Sequence, residues 1–488
     1  MLGSQILTND AAETMSIAIV GGGAAGAMLA LNLLRQAPLR GSHITIIEPS
    51  TTLGAGVAYA PSRPEHRLNV AASRMTVLEE EPEDFSHWLL AQPQLVTDGD
   101  RAADGSVFPP RSLFGQYLHE RLERAAQSTP RMHVEHLRDR AATIVPRAGG
   151  FLVETRHGRA IPADVLALCT GHPQVGLPPR LAALAGDHRV IAEPWSGHAL
   201  TQIDRHARVL IVGTGLTMGD VVASLRAQGH AGPIMAVSRR GLLPRRRDPV
   251  NASELTIGIE GLPLSQMLRV LRALMRAEQP LPWPDVLDAL RRSNGTIWQS
   301  WSTVERRRFL RHLRPYWDVH RFQAAPQIDA AVEAARDDGQ LSVRAGTLVD
   351  ARAGTALAVT FRPRGERRTE RLEVDAVVNC TGTAYGTAIA GNGALASLAA
   401  AGAVRADPLG LGLDVDELGR ARRADGTCNG ALFVLGAPAR GGLGEVTGAS
   451  EIAVHARSVA RQIALARSAL PERVTSADLR RHVAGTVS

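Results

Sequence analysis

No lysine occurs among the 488 residues, so all 55 basic side chains are arginine. A Schiff-base mechanism therefore has no side-chain amine to use, and a Walker-type phosphate loop has no lysine. Cysteine is scarce. Cys169, Cys380 and Cys428 stand far apart, which excludes a C-x-x-C pair, zinc-ribbon spacing and a secreted disulfide framework. A reducing, cytoplasmic setting is the expectation, with no metal site. Aromatic residues make up only 4%. No nucleic-acid-binding motif accompanies the arginine runs 245–247 and 306–308, so these read as basic faces in solvent rather than a nucleic-acid surface. An uninterrupted apolar run is missing too. The stretch 16–34 carries a glycine triplet at turn spacing and follows Asp10 and Glu13 instead of a positive flank, which removes the signal-peptide and membrane readings. What remains is ordinary globular composition, 44% hydrophobic and 21% charged, with a net charge of +7 that favours anionic ligands.

Against that background one supersecondary unit occurs twice. Strand Ile17–Val20 leads into Gly21-Gly22-Gly23-Ala24-Ala25-Gly26, a helix runs to Leu34, and a second strand at 44–47 ends on Glu48. The second copy starts at Val209–Val212, turns through Gly213-Thr214-Gly215-Leu216-Thr217-Met218-Gly219, continues as a helix from about Asp220 to Gln228, and returns at 234–237 to Ser238. Two further segments match each other, 163–171 and 374–382, each an apolar strand ending in Cys-Thr-Gly. The fold expected is α/β, with two Rossmann-like three-layer dinucleotide-binding domains, the first of them discontinuous. A disordered extension takes 1–14, the first domain 15–205 and 345–488, and the inserted domain 206–344. Residues 255–335, with helical spacing of Leu, Arg and Trp broken by prolines, form a helical elaboration of the insert.

The two loops differ where they meet the ribose. In the first, Gly21 makes the turn, Gly23 lets the backbone reach a pyrophosphate, Gly26 permits close helix–strand packing, and the amides of Ala24 and Ala25 face the phosphates. Glu48 follows Gly26 by 22 residues, near the ~20 expected for an acid that accepts from ribose hydroxyls. This suits a 2′-hydroxyl dinucleotide such as FAD, with Pro49, Thr170, Gly171 and Gly382 beside it. In the second loop Gly213, Gly215 and Thr217 repeat the pattern, Met218 replaces the third glycine, and Ser238-Arg239-Arg240 fills the acid's place. Serine and arginine suit a 2′-phosphate, hence NADP(H).

Taken together, Gly54–Tyr59 with Leu68-Asn69-Val70, Pro110-Arg111, Gly115–Leu118, the run 209–220, Ser238–Gly241, Arg311–Trp317 and Gly436–Glu445 resemble the bacterial family of FAD/NAD(P)-binding proteins. They are similar, more distantly, to flavin-dependent N-hydroxylating monooxygenases. The resemblance spans about 15 to 465. It implies an FAD- and NADPH-using oxidoreductase acting on a small molecule, with Gly436 and Glu445 in a C-terminal segment that contacts the flavin. Ala437 stands where the superfamily usually has an acid. It also implies Asn69 beside the flavin, Arg74 and Arg111 as holders of an anionic substrate, and His320 as an acid or base. A disulfide-reductase reaction would need a close cysteine pair, so the flavin must react directly. Three readings stay open: a monooxygenase of a small amine or amino acid, an NADPH-driven reductase, and a non-enzymatic FAD-binding sensor. Substrate and oligomeric state are left undetermined.

Overall fold

The computed structural model describes residues 14–60, 63–173, 176–195, 198–247 and 255–469; the extension expected at 1–14 lies almost wholly outside them. Two sheets and a small antiparallel layer organise the chain. The first sheet runs Arg420–Arg422, Cys428–Val434, Val165–Leu168, Ser16–Val20, His43–Ile47, His133–Leu137. Apart from its first, antiparallel pair it is parallel throughout, with Ile17 opposite Ile44 and Val165, and Val20 opposite Ile47 and Leu168. Such strands are covered on both faces, which is why Ser16–Val20 and Val165–Leu168 read as unbroken apolar runs instead of alternating ones. Helix Ala24–Leu34 lies on one face, apolar all round, and is roofed by helices Arg111–Gln127 and Ala449–Ala469. Small residues of the last helix, among them Ala453, Ala456 and Ala460, are buried in that core. Strands Ala141–Arg147, Gly150–Thr155 and Ala160–Ala163 form the small layer on the opposite side.

The second sheet has the order Glu370–Val374, Leu357–Pro363, Leu341–Arg352, Ile234–Ser238, Val209–Val212, Ala376–Asn379, Val190–Ile191. The boundaries expected at 205 and 345 therefore cut this sheet on both sides. The reason is register: Ala376–Asn379 pairs in parallel with Val209–Val212, and Val377 faces Val190. Short apolar strands of similar composition do not reveal which sheet will take them. The helix expected from Asp220 starts earlier, at Leu216, directly on the glycine turn. Within 255–335 six helices form, at 264–274, 283–292, 294–300, 303–312, 314–321 and 326–337. The first four make a separate apolar cluster. Helix Pro326–Asp337 instead packs on Leu216–Ala227 and serves as the crossover between strands 234–238 and 341–352, completing a β-α-β unit.

Candidate active site

Each glycine loop is closed by the same device. Gly21 has φ +103°, and a Cβ there would stand 2.2 Å from the carbonyl oxygen of Cys169. Gly213 has φ +113°, and its Cβ would stand 2.2 Å from the carbonyl oxygen of Cys380. Only glycine adopts this conformation cheaply, and no side chain fits the space. The Cys-Thr-Gly repeats are thus the strand ends that back the two loops. Gly382 borders the second loop, not the first, which corrects its placement beside the FAD-type loop. Thr170 and Gly171 do lie at the first. Cys169 and Cys380 are buried there, and burial pushes both thiols well above the ordinary range, so they pack and do not react.

At the first loop, Gly26 meets the carbonyl of Gly21, where a Cβ would be 2.0 Å from the oxygen, and Gly23 faces Gly56, where a Cβ would stand a tight 3.2 Å from the Gly56 Cα. Gly23 caps helix Ala24–Leu34 with no side-chain hydrogen bond, and no acid lies in the first turn. The amides of Ala24 and Ala25 are left for an anion. Glu48 accepts from Gly22 N at 2.9 Å and from Ser50 N at 3.0 Å, so its carboxylate is fixed beside the turn, with exposed Pro49 next to it. Gly436, at φ +69°, stands against Ala25, with a Cβ 3.3 Å from that methyl. This brings the C-terminal segment to the same helix N-terminus.

At the second loop Gly215 caps helix Leu216–Ala227, again without a side-chain cap or an acid in the first turn, and the space before its Cα is open. Thr217 is half-buried in that turn. Met218 is buried, and the packing glycine has moved by one residue: a Cβ on Gly219 would stand 2.8 Å from Ile328. Ser238 is used to build the loop. Its hydroxyl accepts from Thr214 Oγ1 at 2.9 Å and from Gly241 N at 3.0 Å. Arg239 is exposed. Arg240 lies over the Tyr316 ring at 5.0 Å and donates to its hydroxyl at 3.1 Å.

Three of the four side chains expected to do chemistry, Arg111, Arg74 and His320, are engaged by groups of the protein itself. Arg111 pairs with the buried Asp220 of the second dinucleotide helix, donates to Arg67 O at 3.0 Å and stacks on Trp195 at 4.8 Å. It joins the two sheets' units, and burial pulls its guanidinium down to about 10. Arg74 pairs with Asp288 at 3.0 Å. The backbone carbonyl of Asn69 accepts from the half-buried Arg247. His320 Nδ1 donates to the Tyr316 backbone carbonyl at 2.7 Å, and the ring packs edge-on to Trp283. Glu445 spends both carboxylate oxygens inside the protein, one on Trp317 Nε1 at 3.0 Å, the other on Arg321 Nε at 2.9 Å. It therefore sits in a buried ion pair with Arg321. Trp298 and Trp301 are buried, and Trp317 holds Glu445. Arg306, read as part of a solvated face, instead lies over Trp298 at 5.2 Å and donates to its carbonyl.

A cluster that sequence reasoning missed sits where the two strand ends meet. His172, next after the first Cys-Thr-Gly, contacts the hydroxyl of Tyr385, three residues after the second, at 2.9 Å. Arg440 lies over the Tyr385 ring at 5.5 Å, and Arg314 pairs with Asp318 at 3.3 Å close by. Burial, reinforced by Arg440, lowers the His172 pKa, and burial raises that of Asp318 against the pull of Arg314 and Arg440. The repeated tripeptide was the available signal, since both residues follow it.

The junction of the two units also predicts a pH response. His66 contacts Ser224 Oγ at 2.9 Å and packs edge-on to Trp195; burial and the charges of Arg111 and Arg63 hold it down to about 4. Burial alone holds His455 down to about 4. Both are neutral in the fold but take up protons near 6.5 once unfolded. Their contribution is complete above pH 6.5 and declines as pH falls from 6.5 towards 4. Urea unfolding midpoints should be level from pH 8 to 7 and drop at pH 6 and 5, less steeply in His66→Gln. Parallel curves for the two proteins would assign the drop elsewhere.

No helix among the described residues is long and apolar enough to cross a membrane. No curated protein matches the chain by sequence. Residues 18–173 match the family model described as FAD-NAD(P)-binding. Among solved structures, the ornithine N-hydroxylase of Kutzneria sp. 744, with reduced FAD, NADP+ and L-ornithine, is 16% identical, with a TM-score of 0.62 over 93% of this chain and 100% of that one. The ornithine hydroxylase of Pseudomonas aeruginosa is 15% identical, with a TM-score of 0.61 over 93% and 99%. The L-lysine 6-monooxygenase of Pseudomonas syringae is 18% identical, with a TM-score of 0.61 over 93% and 99%. Residues 18–173 thus carry an FAD-NAD(P)-binding domain, set in the fold that these amino-acid hydroxylases share.

Proposed function

We propose that the protein is an NADPH-dependent FAD oxidoreductase of the monooxygenase type. One observation carries this reading: two glycine loops, closed alike by Cys169 and Cys380, whose strand ends meet at His172 and Tyr385. The first unit takes residues 14–173 and 383–469, the second 176–382. Gly21, Gly23, Gly26 and the amides of Ala24 and Ala25 fit an FAD pyrophosphate, with Glu48 beside its ribose. Gly436 and the N-terminus of the last helix approach from the other side. Gly213, Gly215 and Thr217 fit the second pyrophosphate, Gly382 lies next to them, and Arg239 and Arg240 reach the 2′-phosphate. Ser238 orders that loop rather than touching phosphate. When bound, the flavin supplies hydride acceptance from NADPH and electron transfer to substrate or O₂. The chain's own part is orientation and exclusion of water. At the meeting point His172 and Tyr385 can pass a proton between ring nitrogen and phenol oxygen, with Arg440 favouring negative charge on that oxygen.

The test is an absorbance spectrum of the purified protein followed by stopped-flow mixing with NADPH or NADH, with and without O₂. Flavin bleaching by NADPH, with hydroxylated product or peroxide in O₂, is expected. A bound flavin that NADPH does not bleach would leave a binding protein, and bleaching without product or peroxide a reductase. Replacing Arg239 and Arg240 together by Ala removes two charge-assisted contacts of about 1.5–3 kcal/mol each. kcat/KM for NADPH should fall on the order of 100-fold or more while that for NADH stays within a few-fold. Equal losses for the two coenzymes would remove the phosphate-binding role.

A further inference from the structure

The helices between residues 264 and 321 enclose a cavity of about 290 Å³. Its wall is hydrocarbon and aromatic, set by Leu271, Trp283, Leu290, Ile297, Trp298 and Phe309. One side is open: Met275 and Tyr316, both in the lining, are 42% and 44% exposed. On another side the lining is Arg440, Gly444 and Glu445, part of the segment that leads from Gly436 at the first glycine loop. The polar groups are few. Glu445 has both oxygens engaged by Trp317 and Arg321, and His320 has Nδ1 on a backbone carbonyl, which leaves its other nitrogen, Asn294, Arg440 and the Tyr316 hydroxyl, which accepts from Arg240.

We propose that this cavity is the substrate pocket and that it takes a molecule with an apolar body, an alkyl chain or aromatic ring of roughly six to ten carbons, in keeping with a volume at the low end for ligand pockets. A free amino acid fits it poorly. The wall has no free carboxylate for an ammonium group, and a zwitterion would lose its hydration with little to replace it. An apolar body gains by leaving water and by contact with the aromatic wall. This rests on the oxidoreductase reading for what happens to the ligand, but not for its binding.

The experiment titrates the protein as purified with 1-butanol, 1-hexanol and 1-octanol, and with L-ornithine as the charged control. Quenching of tryptophan fluorescence is the readout, since Trp283 and Trp298 line the cavity. Affinity should rise about four-fold per added methylene, equivalent to about 0.8 kcal/mol, and ornithine should not compete. Leu290→Trp, which fills the cavity, should weaken octanol binding at least ten-fold. Leu290→Ala, which enlarges it, should extend the rise to longer alcohols, and it keeps the test decisive if the larger side chain is not accommodated. Binding without chain-length dependence, no binding of any alcohol, displacement of octanol by ornithine, or Leu290 variants that bind like the parent would each overturn the proposal. NADPH bleaching is recorded on the same sample. Octanol binding without bleaching would remove the oxidoreductase reading and keep the pocket, and bleaching without octanol binding would do the reverse.

Discussion

Gly213→Ala is expected to yield a protein that keeps its flavin and is no longer reduced by NADPH at a useful rate. The substitution places a methyl at φ +113°, 2.2 Å from the Cys380 oxygen and 2.5 Å from its carbonyl carbon. Both neighbours are backbone at the end of a central strand, so neither can step aside as a side chain would. The loop must move by about an ångström, and a displacement of that size at a reacting group costs on the order of 100-fold. Gly21→Ala is the matching experiment on the first loop, at φ +103° and 2.2 Å from the Cys169 oxygen. It should come off purification without flavin. Flavin absorbance per protein and the rate of bleaching separate the two outcomes. If Gly213→Ala is bleached as fast as the parent, or Gly21→Ala holds a full complement of flavin, the loops have been assigned to the wrong ligands.

Removing Arg321 should be the most damaging change to stability among the charged residues. Its side chain is 7% exposed; Nε donates to Glu445 at 2.9 Å and Nη2 to Glu451 at 2.9 Å. Arg291 donates to the same Glu451 oxygen at 2.9 Å. Burial alone would raise the Glu451 pKa, yet Arg321 and Arg291 hold it below the ordinary range. Arg321→Ala leaves Glu445 and part of Glu451 uncompensated in a dry site, a loss of about 3–5 kcal/mol. Arg321→Lys keeps the charge but has one nitrogen for two carboxylates in different directions, so it should recover only part of the loss. Adding Glu445→Gln to Arg321→Ala should restore more than either change predicts singly, because the stranded charge is gone. Urea unfolding of the parent, the three single variants and the double variant, with the two units' transitions followed separately, checks this. Additive losses would mean that the pair is not coupled.

The glycine turns, both return strands and Glu48 were legible because their determinants are local: positive φ, a helix N-terminus, and a fixed spacing to the next strand's end. The repeat of Cys-Thr-Gly was legible as a repeat, but its assignment was not. Val374–Gly382 could join either sheet, and the choice is made by pairing with Val209–Val212, some 167 residues earlier. Arg111 and Asp220 show the same limit. Each sits in a motif that suggests a ligand, and each instead satisfies the other across the junction. His172 and Tyr385 are 213 positions apart, so only the closed fold brings them together. The cavity was hidden for a different reason: apolar helical periodicity looks the same whether the enclosed face is filled or hollow.

The order of strands in the first sheet also has a meaning in time. Val165–Leu168 lies between Ser16–Val20 and Cys428–Val434. About 260 residues separate the end of the one from the start of the other. At roughly 5–20 residues per second, a growing chain carries that strand for some 13–50 s with one edge unpaired. Every strand of the second sheet, from Val190 to Asn379, leaves the ribosome within that interval. The sheet that begins first is therefore completed last, and the nascent protein must keep a bare apolar edge from pairing elsewhere while its neighbour closes.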